Sequence, residues 1–190
     1  ELKPDEDIII GFDGSFNGDC TSLVGCTIPK EDEKPYLFMI HTWEKQPEDT
    51  DDWRVNTQEV EDKIIQFCST HNVKEIACDP YRWQRSMDAM LEMGLPVIEF
   101  PSTSPSRMVS ACQKFYTSVT EQTMIHDGDP LLERHLSNAV VKIDRLGPRI
   151  VKEHRGSPRK IDAAVAAVIA FDRATVGRVE DEQLVPQFFI

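Results

Sequence analysis

The chain has 190 residues, of which 40% are apolar and 28% charged, with a formal net charge of −12. This length supports one domain with a substantial core, and the composition excludes low-complexity and fibrous classes. No apolar run reaches membrane-spanning length and no signal peptide pattern is present, so membrane-spanning and secreted classes are not expected.

The chain starts at Glu1 rather than Met, which predicts a piece of a longer product, with residues 1–7 as the remnant of a linker. Residues 8–13 (Ile-Ile-Ile-Gly-Phe-Asp) form a short β-branched run that suits a strand buried on both faces. It ends in Asp13-Gly14-Ser15, which places Asp13 at the carboxyl end of a central strand, where open α/β sheets hold ligands. Asp-Gly turns are also common without any chemistry. Residues 21–29 and 36–43 read as two further strands joined through the charged stretch 30–34, giving an antiparallel meander. An acidic loop covers 44–56. Asn56 is a candidate N-cap with Glu59 in the capping-box position, and Val60, Ile64, Phe67 and Cys68 predict a helix over 57–71.

Residues 74–79 read as a strand ending in a second aspartate, Asp79, because Pro80 cannot continue a ladder. The loop Tyr81-Arg82-Trp83-Gln84-Arg85 is either a helix start with a packed Trp or a phosphate and stacking contact. A helix over 86–93 closes at Gly94, and a strand follows at 96–100. Met108, Cys112, Phe115 and Val119 mark the next helix, and Asp129-Pro130 starts another, which puts Leu131, His135 and Asn138 on one face. A lone His in that setting is more often structural than a ligand. Residues 140–146 and 150–153 form a β-hairpin around Gly147-Pro148. Lys160-Ile161-Asp162-Ala163-Ala164 opens a helix that is apolar nearly all round, with Ile161, Val165, Val168 and Ile169 facing a core. Asp162 then points along an apolar face and needs a cation, a hydrogen-bond partner or a shifted pKa. Its other reading is a first-turn carboxylate favoured by the helix dipole. Residues 178–190 form an acidic and then apolar tail.

The charge is uneven. Between Lys142 and Lys160 there are seven basic residues (Lys142, Arg145, Arg149, Lys152, Arg155, Arg159, Lys160) and two acidic ones, a local +5. Residues 44–62 are crowded with acids instead, so the net charge is a poor guide to partners. The cysteines at 20, 26, 68, 78 and 112 are odd in number and form no CxxC pair, which predicts reduced thiols and no zinc site.

Asp13, Asp79 and Asp162 share a setting: two strand ends and one helix start. Three carboxylates without a His/Cys cluster favour Mg²⁺ or Mn²⁺. Two such ions about 4 Å apart would serve in-line hydrolysis of a phosphodiester.

Gly11-Phe12-Asp13-Gly14-Ser15, Ala77-Cys78-Asp79-Pro80 and Lys160-Ile161-Asp162-Ala163-Ala164 together resemble the nuclease domain of tailed-bacteriophage large terminase subunits. The resemblance covers roughly residues 7–175. It implies a ribonuclease H-like α/β fold, with a central mixed sheet of about five strands, flanking helices and the added hairpin near 140–153. It divides the chain into the linker remnant, a nuclease domain over 8–177 and the tail. It implies a two-metal endonuclease that cuts concatemeric viral DNA during packaging, with Asp13, Asp79 and Asp162 as catalytic metal ligands. Asp19 is a further acidic position of the first motif, and His135 lies on a helix near the site. Arg145, Arg149, Lys152, Arg155 and Lys160 would contact phosphates with little base specificity, and Arg82 and Arg85 are weaker candidates.

In the full-length family protein the implied partners are an N-terminal ATPase domain, the small terminase subunit and the portal, in the cytoplasm of the infected bacterial cell. This chain has no GxxxxGK[ST] phosphate loop, which fits an isolated C-terminal domain. The alternatives are another nuclease of the superfamily, such as a junction resolvase, or a non-catalytic module that docks on portal or capsid through the acidic loop and the tail.

Overall fold

The computed structural model describes residues 2–3, 5–15, 20–50, 52–154 and 156–176. Asp19, Arg155 and the tail over 178–190 therefore lie outside the described residues. Eight strands and five helices follow in the order β1 (Asp7–Gly14), β2 (Thr21–Thr27), β3 (Tyr36–Trp43), α1 (Thr57–Thr70), β4 (Asn72–Cys78), α2 (Gln84–Glu92), β5 (Val97–Glu99), α3 (Pro105–Thr120), β6 (Ile125–His126), α4 (Pro130–Asn138), β7 (Val140–Asp144), β8 (Gly147–Val151) and α5 (Asp162–Ala174) among the described residues.

The main sheet has the order β5-β4-β1-β2-β3-β6. β1, β2 and β3 form the expected antiparallel meander. β4 runs parallel to β1, and β5 parallel to β4. The sheet has six strands rather than about five. The extra one, β6, is two residues that pair parallel with Tyr36 and Leu37 of β3. A stretch that short carries no alternation to detect.

The sheet is covered on both faces, as the unbroken apolar runs required. Ile10 and Phe12 of β1 point to the side of α1 and α2, where they meet Val60, Ile64, Trp83, Met87 and Met90. Ile9 points the other way, onto Ala163, Ala166, Ala167 and Ala170 of α5. The predicted capping signals formed. Asn56 Oδ1 accepts from Gln58 N at 3.1 Å, and its side-chain amide donates to Glu59 at 2.9 Å. Asp129 Oδ1 accepts from the backbone N–H groups of Leu131 and Leu132, both at 2.9 Å.

The hairpin turns two residues earlier than expected, at Arg145-Leu146, with Gly147-Pro148 opening β8. Gly147 has φ +129, which relieves the bend, and Pro is tolerated near a strand start. All five cysteines are unbridged thiols. No helix among the described residues is long and apolar enough to cross a membrane.

Candidate active site

The register of β1 on β4 decides where the first two aspartates lie. Phe12 pairs with Cys78 across parallel strands, so the next residues, Asp13 and Asp79, emerge side by side at the carboxyl edge. The pleat adds the face. Ile9 and Ala77 point toward α5, and side chains alternate with period two, so Asp13 and Asp79 leave on that same side.

α5 brings the third aspartate to this edge. A Cβ at Gly11 would sit 2.0 Å from Ala166 O and 2.7 Å from Ala170 N, so the helix lies directly on β1 there. At the helix's far end Arg173 grips Glu75 of β4 through two 2.8 Å hydrogen bonds. α5 thus runs antiparallel to β1 and β4, and its first residue, Asp162, reaches the edge where those strands end. The alanines permit this approach, because a larger side chain would hold the helix off the sheet.

The electrostatics agree with that placement. Burial pushes the Cys20 thiol far up, and the charges of Asp162, Glu44 and Asp13 push it further. Burial and the charges of Asp79 and Asp13 do the same to Cys78. Asp13, Asp79 and Asp162 therefore share one negative region, together with Glu44. The sequence reading placed Glu44 in the acidic loop without a role; its carboxylate is only 18% exposed and is paired with Arg134.

Asp79 and Asp162 each have polar partners. Asp79 is 8% exposed. Its Oδ1 accepts from Tyr81 N at 2.8 Å, and its Oδ2 accepts from the Ser102 hydroxyl. Ser102 was missed because its loop is remote in sequence and carries no motif. Asp162 is 5% exposed, and its Oδ2 lies 3.8 Å from the Lys152 ammonium at the end of the hairpin. Lys152, expected as a phosphate contact, is thus a cation beside a buried carboxylate. Asp13 is half-buried.

His135 is fully buried and belongs to the site's frame. Ile161, at the N-cap of α5, has no capping side chain; instead the Ala163 N–H donates to His135 Nδ1 at 3.0 Å. Asn138, one turn on, donates to Lys160 O at 3.0 Å. These two α4 side chains hold the residues on either side of Asp162. Accepting at Nδ1 requires a neutral ring with its proton on Nε2, and burial lowers the His135 pKa to about 4.

Lys142 and Arg145 are exposed on the hairpin, Arg149 is partly buried and Lys160 half-buried. Arg82 is exposed at φ +70 next to the Asp79 loop, with its guanidinium 5.1 Å from the Tyr81 ring centroid.

The donor set consists of hard oxygens, which suits a divalent ion such as magnesium. Among the described residues no three His, Cys, Asp or Glu side chains close into a group that could hold a metal ion. The arrangement is two adjacent carboxylates facing a third that is held by a lysine.

A mixed sheet with a β1–β2–β3 meander, a parallel β4 and a helix laid across it, gathering carboxylates at one edge, is a ribonuclease H-like fold. The chain matches the terminase large subunit, endonuclease domain, over residues 40–178, and it belongs to that family. The gene 13 protein of Mycobacterium phage L5 is 31% identical over 183 residues, and that of phage D29 is 31% identical over 187 residues. Each alignment covers 90% of this chain but 30% of the relative, so the chain spans under a third of their length. Among solved structures, the HK97 bacteriophage large terminase superposes with a TM-score of 0.72 at 20% identity, covering 89% of this chain and 40% of that one. The large terminase nuclease of thermophilic phage G20c gives 0.65 at 14% identity, covering 91% and 85%. A magnesium-bound form of the G20c nuclease gives 0.63 at 14% identity, covering 91% and 84%.

Proposed function

We propose that this chain cuts double-stranded viral DNA concatemers during genome packaging, as a divalent-metal-dependent endonuclease with little sequence specificity. The observation that carries this is the Phe12–Cys78 register, which sets Asp13 beside Asp79 on the face where α5 delivers Asp162. The magnesium- and cobalt-bound forms of the G20c nuclease support the choice of a divalent ion.

Asp13, Asp79 and Asp162 would hold two ions, Mg²⁺ or Mn²⁺, which would polarise an attacking water and stabilise the leaving oxygen. The protein's own residues do the positioning. Tyr81 N–H and Ser102 O–H hold both oxygens of Asp79, so its orientation is set in advance. His135 and Asn138 seat the first turn of α5, and with it Asp162. Lys152 balances the buried charge of Asp162 until other cations do. Lys142, Arg145 and Arg149 attract phosphates, which gives sequence-independent, salt-sensitive affinity.

In the longer protein this domain would follow an ATPase domain and work with the small terminase subunit and portal in the cytoplasm of the infected host.

The test is supercoiled-plasmid cleavage with Mn²⁺, Mg²⁺ or EDTA, comparing this chain with Asp162→Asn. Cutting that requires metal and disappears in the variant is expected. Cutting that survives the substitution would remove Asp162 from the site, and cutting in EDTA would end the metal reading. A panel of duplex, four-way junction and RNA–DNA hybrid separates this activity from that of a resolvase or a ribonuclease H.

A further inference from the structure

The β7–β8 hairpin carries more exposed apolar surface than a solvated hairpin needs. Val141 is 61% exposed, Ile143 77% and Leu146 51%. Isolated exposed apolar residues are ordinary, but three within six positions on one projection form a patch. The hairpin is well anchored on its inner side. Ile150 of β8 packs on the core, and a Cβ at Gly147 would come within 2.7 Å of Val109 on α3. β7 is the outer strand, and its apolar side chains overhang.

The pairing sorts the two faces. Val141 opposes Ile150 and Ile143 opposes Pro148, so Val141, Ile143, Pro148 and Ile150 share one face, which packs on the core at Ile150 and is open at Ile143. Lys142 opposes Arg149 on the other face. The turn is Arg145-Leu146, one cation and one apolar side chain, both exposed. The result is a finger with a cationic side, an apolar side and a mixed tip, complementary to an anionic partner that also offers apolar contact. The base of the finger fixes which partner this is. Lys152, just past β8, lies 3.8 Å from Asp162 Oδ2, so the base of the finger adjoins the candidate site, and the anionic partner nearest to hand is that site's own substrate.

We propose, resting on the nuclease reading above, that this hairpin enters a groove of the duplex and wedges Ile143 and Leu146 against a base step, so that duplex deformability biases where the chain cuts. Lys142, Arg145 and Arg149 hold the flanking phosphates while the apolar side chains displace stacked bases, which is easiest at pyrimidine–purine steps. The span from Lys152 to Leu146 is at most about 20 Å at strand rise. That corresponds to about six base pairs at 3.4 Å each. The bias therefore falls within about six base pairs of the cut.

The test uses two readouts on the 190-residue chain. In EDTA, end-to-end energy transfer on a dye-labelled 30-base-pair duplex with a central TA step reports bending without cleavage. In Mn²⁺, sequencing of plasmid ends reports cut positions. Wild type should bend the duplex and enrich cuts near pyrimidine–purine steps. Ile143→Ser/Leu146→Ser, both at exposed positions, should lose at least half of the bend and flatten the distribution. Lys142→Ala/Arg149→Ala should instead lose about tenfold in affinity at low salt. A double-serine protein that bends and cuts as wild type does overturns the wedge alone. Bending without any metal-dependent cutting overturns the nuclease reading and leaves the wedge standing. No duplex binding by wild type overturns both.

Discussion

Replacing Gly11 with Ala pits local propensity against packing, and the two predict opposite signs. Gly→Ala within a strand should stabilise by about 0.5–1 kcal/mol, because it reduces the freedom of the unfolded chain. In this fold the added Cβ meets Ala166 O at 2.0 Å and Ala170 N at 2.7 Å, where ordinary contact begins at 3.4 Å. Both atoms belong to the α5 backbone, so no rotamer change relieves the clash. The helix must lift by about 1.4 Å, an overpacking that costs about 3 kcal/mol, at the upper end of the usual range. For a domain of this size that lowers Tm by about 10 °C. Asp162 moves with α5, and a displacement near 1 Å at a reacting centre costs on the order of 10²-fold in rate. Thermal unfolding by circular dichroism gives the first number, and Mn²⁺-dependent plasmid nicking at 20 °C gives the second. A Gly11→Ala protein with unchanged or raised Tm would refute the close seat of α5. A destabilised protein that nicks at the wild-type rate would refute the claim that this seat positions Asp162.

The pH dependence has a definite sign. His135 binds its proton at about 4 when folded, against an ordinary value of 6.5, so the unfolded chain takes up the proton first as pH falls. Stability from this group is complete above about 6.5 and is lost toward 4, by at most about 3 kcal/mol. The difference in urea midpoint between wild type and His135→Asn should accordingly shrink over that interval, and a constant difference would refute the neutral, Nδ1-accepting ring. Ser102→Ala removes one of the two groups that orient Asp79, so Mn²⁺ affinity by titration calorimetry should fall about tenfold with Tm little changed. Equal affinity would make the Ser102 contact incidental. Lys152→Gln removes the cation next to Asp162, so the metal-free protein should lose stability and recover it on adding Mn²⁺. A variant as stable as wild type without metal would show that the pair does no balancing.

Most of the elements were legible from local rules. The runs 8–13 and 74–79 read as strands buried on both faces, and Asn56 and Asp129 placed two helix starts through capping chemistry that involves only neighbouring residues. The three aspartates were legible as strand-end and helix-start residues for the same reason. β6 was not, because two residues carry no period and are held by their pairing with β3. The hairpin turn was displaced because Gly147-Pro148 is an equally good local turn signal, whereas Gly147 pairs with Asp144 inside the ladder, close against Val109.

The sequence by itself thus determined the periodicity, the caps and the residue types that could bind a cation, since each depends on contacts a few positions apart. Only the tertiary structure decided that Asp13 and Asp79 lie side by side, that Ser102 holds Asp79, and that His135 and Lys152 flank Asp162. Those contacts join residues 10 to 66 positions apart, on separate elements. They follow from strand register and from how closely α5 settles on Gly11, quantities that are fixed only when the whole core packs.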